Sequence, residues 1–181
     1  MIAIVAVIAI GYGIWIFNRL VSDRNLVAQA FADIDVQLKR RADLVPQLVE
    51  TVKAYAAYER QTLQAVVELR ARASELAEHE RRPSASRFGT ESELGASLQK
   101  LILLQENYPQ LKADQNFRDL SGKLVEIEDQ LQHARRFYNG AVKQYVTRLQ
   151  RFPDVIVARL LAFRSAAFFE TADRAAVQVS L

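Results

Sequence analysis

The amino-acid sequence predicts an all-α protein in which an N-terminal transmembrane helix is followed by an antiparallel helical bundle of long helices. Three observations carry this. Residues 1–17 hold 15 apolar residues and no charge. Beyond them, apolar residues recur at steps of three and four through most of the chain, the period of a helix that buries one stripe. No stretch shows the strict apolar–polar alternation of a strand. Three parts follow: an anchor over residues 1–21, a helical bundle over 22–169, and a loosely ordered tail over 170–181.

The run MIAIVAVIAIGYGIWIF opens the chain with no cation ahead of it and no small-residue cleavage site behind it, so a cleaved signal peptide is not expected. At about 1.5 Å per residue, the segment to Val21 reaches about 30 Å as a helix, the thickness of the hydrocarbon layer, with the Arg19 head drawn out to the interface. Trp15 and Phe17 stand where an aromatic belt meets headgroups. Arg19, Arg24, Lys39, Arg40 and Arg41 all follow the segment. The positive-inside rule therefore expects a single-pass inner-membrane protein with its N-terminus outside and its helical domain in the cytoplasm.

The first bundle stripe is Val27, Phe31, Ile34, Leu38, Val45, Val49, Val52, Ala56, Leu63 and Val66. Pro46 interrupts it. Either Asp43 caps a new helix beginning at Leu44, which places Pro46 in a first turn, or one helix runs through the proline. From Ser74 to Gly89 the period fails, and a frayed helix end with a surface loop is expected. Thr90 and Glu93 have capping-box spacing and restart a helix with Leu94, Leu98, Leu101 and Gln105 on one face, ending before Pro109. Asn116 is the expected cap of the most regular stretch, Phe117, Leu120, Leu124, Ile127, Leu131, Ala134, Tyr138, Ala141, Tyr145, Leu149 and Phe152. Its alternating steps suit knobs-into-holes packing, as in a coiled coil or an antiparallel bundle. Residues 154–163 suggest one more short helix.

Several blocks of this sequence carry a resemblance. IDVQLKRRADLVPQLVETVKAYAAYE (Ile34 to Glu59), NYPQLKADQNF (Asn107 to Phe117), ARRFYNGAVKQYVTRLQRFP (Ala134 to Pro153) and AFFE (Ala167 to Glu170) are similar, in order and spacing, to the motif blocks of the bacterial LemA family. The resemblance covers almost all of the chain after the anchor. It implies a membrane-anchored helical domain, and it implies no particular reaction.

Composition excludes several classes of chemistry. There is no Cys, hence no disulfide, thiolate metal site or Cys nucleophile, and two His leave little for zinc or general-base work. Glu126, Asp129 and His133 share one helix face, but no complete Glu-x-x-His element accompanies them, and a solvated face is expected. His79, between Glu78 and Glu80, also reads as surface. No HExxH, GxSxG or phosphate-binding loop occurs. No catalytic residue, cofactor or metal is therefore expected, and the chain is not expected to be an enzyme.

Two basic tracts remain as a candidate interaction patch: Lys39, Arg40 and Arg41, and Arg135 with Arg136. If the anchor helix continues straight, Lys39 lies about 30 Å beyond Arg19, several Debye lengths from the headgroups. Pairing with Asp35, Asp43 or acids on adjacent helices competes with docking of an acidic partner. The mixture Arg135-Arg136-Phe137-Tyr138-Asn139 does not indicate nucleic acid, because Tyr138 falls on the apolar seam and Glu126, Glu128 and Asp129 dilute the field. The net charge of +3, from 24 cations against 21 anions, agrees. The expected role is a scaffold or adaptor for protein partners at the membrane. The alternative is a membrane-shaping or self-assembling structural protein, in which copies of the chain associate.

Overall fold

The computed structural model describes residues 1–80 and 82–169, apart from the side chain of Ile2. Every regular element among them is helical: α1 (Ile2–Tyr55), α2 (Arg60–His79), α3 (Ala85–Leu103), a 3-10 turn (Leu104–Glu106), α4 (Pro109–Ala113), α5 (Gln115–Gln150) and α6 (Asp154–Leu160). The tail expected over 170–181 lies outside the described residues.

Helix α1 is one element of 54 residues, about 80 Å long. Its early residues, among them Ile4, Ile8, Ile10, Ile14 and Trp15, expose their apolar side chains, whereas Val27, Phe31, Ile34, Leu38, Val45, Leu48 and Val52 are buried. By length and composition its apolar part is a candidate membrane span. The boundary expected at residue 21 therefore falls inside a helix. Pro46 also lies inside it, and Asp43 caps nothing. The missing N–H removes one hydrogen bond, while Val45, Leu48 and Val49 are buried on either side and hold the helix in place.

Four helices alternate in direction. Helix α5 runs antiparallel to α1, because Asp23 meets Arg148, Arg41 meets Glu128 and Tyr55 meets Asp114: positions rise on one helix as they fall on the other. Helix α3 runs parallel to α1, since Asp35 meets Arg87 and Arg41 meets Glu91. Helix α2 returns between them, packing Leu63, Val66 and Ala73 into the core.

Helix α1 ends at Ala56 without glycine or proline. Tertiary contacts hold the turn: Tyr55 Oη donates to Asp114 Oδ2 at 2.9 Å, and Tyr108 Oη donates to Glu59 Oε1 at 3.0 Å. Two expected caps are corrected. Ser84, not Thr90, caps α3, its Oγ accepting from the Arg87 N–H at 3.1 Å. Thr90 is buried in the second turn, and of the stretch expected as a frayed end and loop from Ser74 to Gly89, residues 74–79 and 85–89 are helical. Asp114, not Asn116, caps α5 through the Phe117 N–H at 2.8 Å. That hydrogen bond, more than any other contact, holds the Asp114 carboxyl below its ordinary range. Of the expected α5 seam only Phe152 is exposed, because α5 stops at Gln150.

Replacing the true cap of α3, Ser84→Ala, is expected to lower stability by about 1 kcal/mol, read as a shift of the urea midpoint of the full-length chain in detergent.

Candidate functional site

The apolar stripe of α1 steps from Ile34 to Leu38, Val45, Leu48 and Val52, and Arg41 occupies the seam position between Leu38 and Val45. On α3 the stripe runs Phe88, Glu91, Leu94, Leu98, Leu101, which puts an acid on the seam at the same level. Arg41 is fully buried and Glu91 nearly so. Arg41 Nη2 donates to both the carboxylate and the backbone carbonyl of Glu91, the latter at 2.8 Å, while Nη1 donates to Glu128 Oε1 of α5 at 2.8 Å. One guanidinium thus joins three helices.

Gly95 makes room for it. A Cβ there would stand 3.1 Å from Arg41 Nη1 and 3.8 Å from the Glu128 carboxylate, so the glycine lets the guanidinium and α3 approach each other. Arg135 belongs to the same neighbourhood. Burial and then the Arg41 cation push its guanidinium below its ordinary pKa, while Glu128 and Glu91 oppose the shift. Its charged group also lies 4.4 Å from the centre of the Phe169 ring. Beside this cluster, between α3 and α5, opens a groove of about 500 Å³ whose walls include Leu98, Ile102 and Val125 with Gln99, Glu128 and Gln132.

On the side of this cluster towards the apolar end of α1, α5 holds an extended strap. Asn139 makes a two-way pair with the backbone of Phe169, donating to its carbonyl at 3.0 Å and accepting from its N–H at 2.8 Å. Tyr138 Oη donates to the Ala167 carbonyl at 2.7 Å. Phe169 packs on Phe88 with ring centres 4.1 Å apart and the planes tilted by 33°. Desolvation pushes the Tyr138 phenol up to about 12.

The five residues of the candidate patch do not form one surface. Lys39, Arg40 and Arg136 are exposed, and Arg136 donates to His133 Nδ1 at 3.1 Å. Arg41 is inside the protein, and Arg135 is half-buried. The acids that meet Arg41 are on adjacent helices; Asp35 pairs instead with Arg87, whose guanidinium also sits 5.1 Å over the Phe31 ring. Glu126, Asp129, His133 and His79 are exposed, and no group of three His, Asp or Glu side chains that would hold a metal occurs among the described residues. In the sequence alone Glu91 and Gly95 mark no site, and Glu128 and Asn139 stand out only beside the basic tract at Arg135 and Arg136. The available signal was a cation and an anion standing on seam positions otherwise filled by apolar side chains.

The LemA family model matches residues 30–181. The chain belongs to the LemA family. Protein LemA of Metamycoplasma hominis is 25% identical over 162 residues, which cover 90% of this chain and 72% of that protein. Magnetosome proteins MamQ 2 and MamQ 1 of Paramagnetospirillum magneticum are each 26% identical over 83 residues, 46% of this chain and 30% of theirs. None of these names denotes an enzyme. The LemA match begins beyond the apolar part of α1 and contains the Arg41 cluster, the strap and the groove. The motif blocks around Arg41, Tyr138 and Phe169, far apart in sequence, meet in space.

Removing the guanidinium with Arg41→Met leaves Glu91 buried and uncompensated, and is expected to destabilise the protein by about 3–5 kcal/mol in urea denaturation; adding Glu91→Leu should restore most of the loss. Tyr138 makes a second prediction. Its pKa is raised from 10.0 to about 12 on folding, so its contribution is complete below pH 10 and is lost as pH rises to about 12. Stability should fall across that window in the native chain and fall less in Tyr138→Phe, with phenolate absorbance as the readout of ionisation.

Proposed function

We infer that this LemA-family chain is a single-pass membrane protein of the inner membrane that displays a non-catalytic helical bundle on the cytoplasmic side, as a scaffold or adaptor for a protein partner. The continuity of α1 carries the reading. The helix that exposes an apolar surface early in its course is the central helix of the bundle later, so whatever the bundle binds is held at a set orientation to the anchor. Arg19 and Arg24, which follow the apolar run, support the cytoplasmic placement.

The interior supports binding rather than chemistry. The ionisable groups around Arg41 are engaged with one another, and no nucleophile stands beside a base there. The groove between α3 and α5 combines aliphatic walls with amide and charged side chains, a surface suited to an amphipathic helix laid between two helices. A second reading, assembly of copies, is favoured by Val36, Val125 and Phe137, exposed on the two longest helices.

A photoreactive amino acid at Gln132, in the groove, separates these readings when crosslinked in native membranes against the same group at Val67 on the outer side of α2. A discrete heterologous band from position 132 alone is expected. A ladder of homo-oligomers would favour assembly, and no product from either position would sink the adaptor reading. For topology, a single cysteine at exposed Ser86 should resist an impermeant maleimide in intact cells and react after lysis; labelling of intact cells would reverse the orientation.

A further inference from the structure

We propose that α6 and the turn after it form a second membrane contact, an apolar wedge inserted in the same leaflet from which α1 emerges. The inference rests on the anchor reading above and adds a lipid-binding surface to it.

The first argument is depth. Ala158, with Val157 and Phe163, packs against Ile16 and Leu20 of α1, which are buried by this contact while the apolar residues before them are bare. Phe163 also meets Phe17 edge to face, with ring centres 6.0 Å apart. A hydrocarbon layer about 30 Å thick takes about 20 helical residues. Ile16 and Leu20 therefore belong to the last turns of α1 in lipid, and α6 lies at their level.

The second argument is the face that α6 turns outward. Ile156 and Leu160 stand one turn apart on the side opposite Ala158, with exposures of 57% and 81%; Leu161 adds 50%, and Phe152, just ahead of the helix, is 76% exposed. A short helix that is apolar towards the protein and, Arg159 apart, apolar away from it offers little surface suited to water. The end of α6 is built to maintain this placement. The Phe163 N–H donates to the Ala158 carbonyl at 2.9 Å and the Ala162 N–H to the Arg159 carbonyl at 3.2 Å. Ala162, at φ 53°, takes the left-handed position between them. This is a Schellman closure. It turns Phe163 back onto α1 and leaves Leu160 and Leu161 outside.

The third argument is the sorting of charge. The carboxylates of this region point inward: Asp23 receives Arg148 and Gln144, and Asp154 lies 4.0 Å from Arg148. Asp154 is the sole acid between Arg148 and Phe169. Arg151, Arg159 and Arg164 are exposed around the apolar face. The Arg19 and Arg24 guanidiniums lie over the rings of Trp15 and Phe163 at 5.1 and 5.6 Å. Cations with apolar stems flanking an apolar patch at the interface match a monolayer with anionic headgroups.

The cysteine-free chain allows a direct test. Single cysteines are placed at Leu160 on the wedge, at Ile8 in the anchor and at Tyr58 at the far end of the bundle. Each carries an environment-sensitive fluorophore, and the full-length protein is reconstituted in vesicles of phosphatidylcholine and phosphatidylglycerol. At Leu160 the dye should blue-shift, be quenched by nitroxide-labelled lipid as at Ile8, and lose most of the iodide quenching seen at Tyr58. Iodide quenching at Leu160 equal to that at Tyr58, with Ile8 still in lipid, overturns the wedge and leaves the anchor standing; iodide quenching at Ile8 as well overturns both. A dye at Phe152→Cys reports on the double variant Ile156→Glu, Leu160→Glu, whose positions are already exposed. It should move into water with helical content unchanged. If it stays in lipid, the wedge is not what holds it there.

Discussion

A guanidinium with no access to water has to find its acceptors in the protein, and Arg41 finds them on two other helices. Helix α1 supplies the cation, α3 a buried carboxylate and a backbone carbonyl, and α5 a half-exposed carboxylate. Apolar side chains tolerate a slip of one helix along another with little change in contact area. A buried charge does not, because moving it away from its acceptors leaves it desolvated and unpaired. The cluster lies between two apolar layers. One contains Val27 to Leu38 with Ile127 to Tyr145; the other contains Val45 to Val52 with Leu94 to Leu101 and Phe117 to Leu124. It therefore sets the register for three of the four long helices, an ionic counterpart of the polar residue that fixes the alignment of a coiled coil.

The same device recurs nearer the apolar end of α1. Asp23, with Gln144 and Arg148, separates the cluster formed by Ile16, Leu20 and Ala158 from the layer that begins at Val27. Along α1 the contacts thus alternate between apolar layers and small charged ones, each of which permits a single alignment. This gives a physical basis for a bundle that holds its orientation to the proposed span. An unbroken helix joins the two, and the paired charges prevent α5 from sliding along it.

The extended strap from Phe163 to Phe169 closes the half of the bundle nearer the apolar end of α1. An extended chain has no hydrogen-bonded ladder of its own, so its polar groups need partners on α5, and Tyr138 and Asn139 supply them. Phe169 then fills the space between Phe88 and the Arg135 guanidinium, which connects the strap with the neighbourhood of Arg41. Both short features after α5, helix α6 and the strap, bend the chain back towards α1. The groove between α3 and α5 is left open on the other side of the cluster, where the proposed partner helix would lie.

By itself the sequence determined the helical class, the apolar run and nearly every core position, because burial of a stripe on a 3.6-residue period leaves a local imprint: the ten residues of the first stripe are all buried. It also determined family membership, through blocks of residues in a set order. Only the tertiary structure decided where helices begin and end when the local code was weak. Pro46 stayed helical because buried neighbours hold it, α1 broke at Ala56 because Tyr55 and Glu59 are tied to Asp114 and Tyr108, and Ser84 won the cap over Thr90. It also decided which arginine of the Lys39-Arg40-Arg41 tract faces inward. The physical reason is common to these cases: a charge or a turn is worth little until its partner arrives, and the partners of Arg41 lie 50 and 87 residues away along the chain.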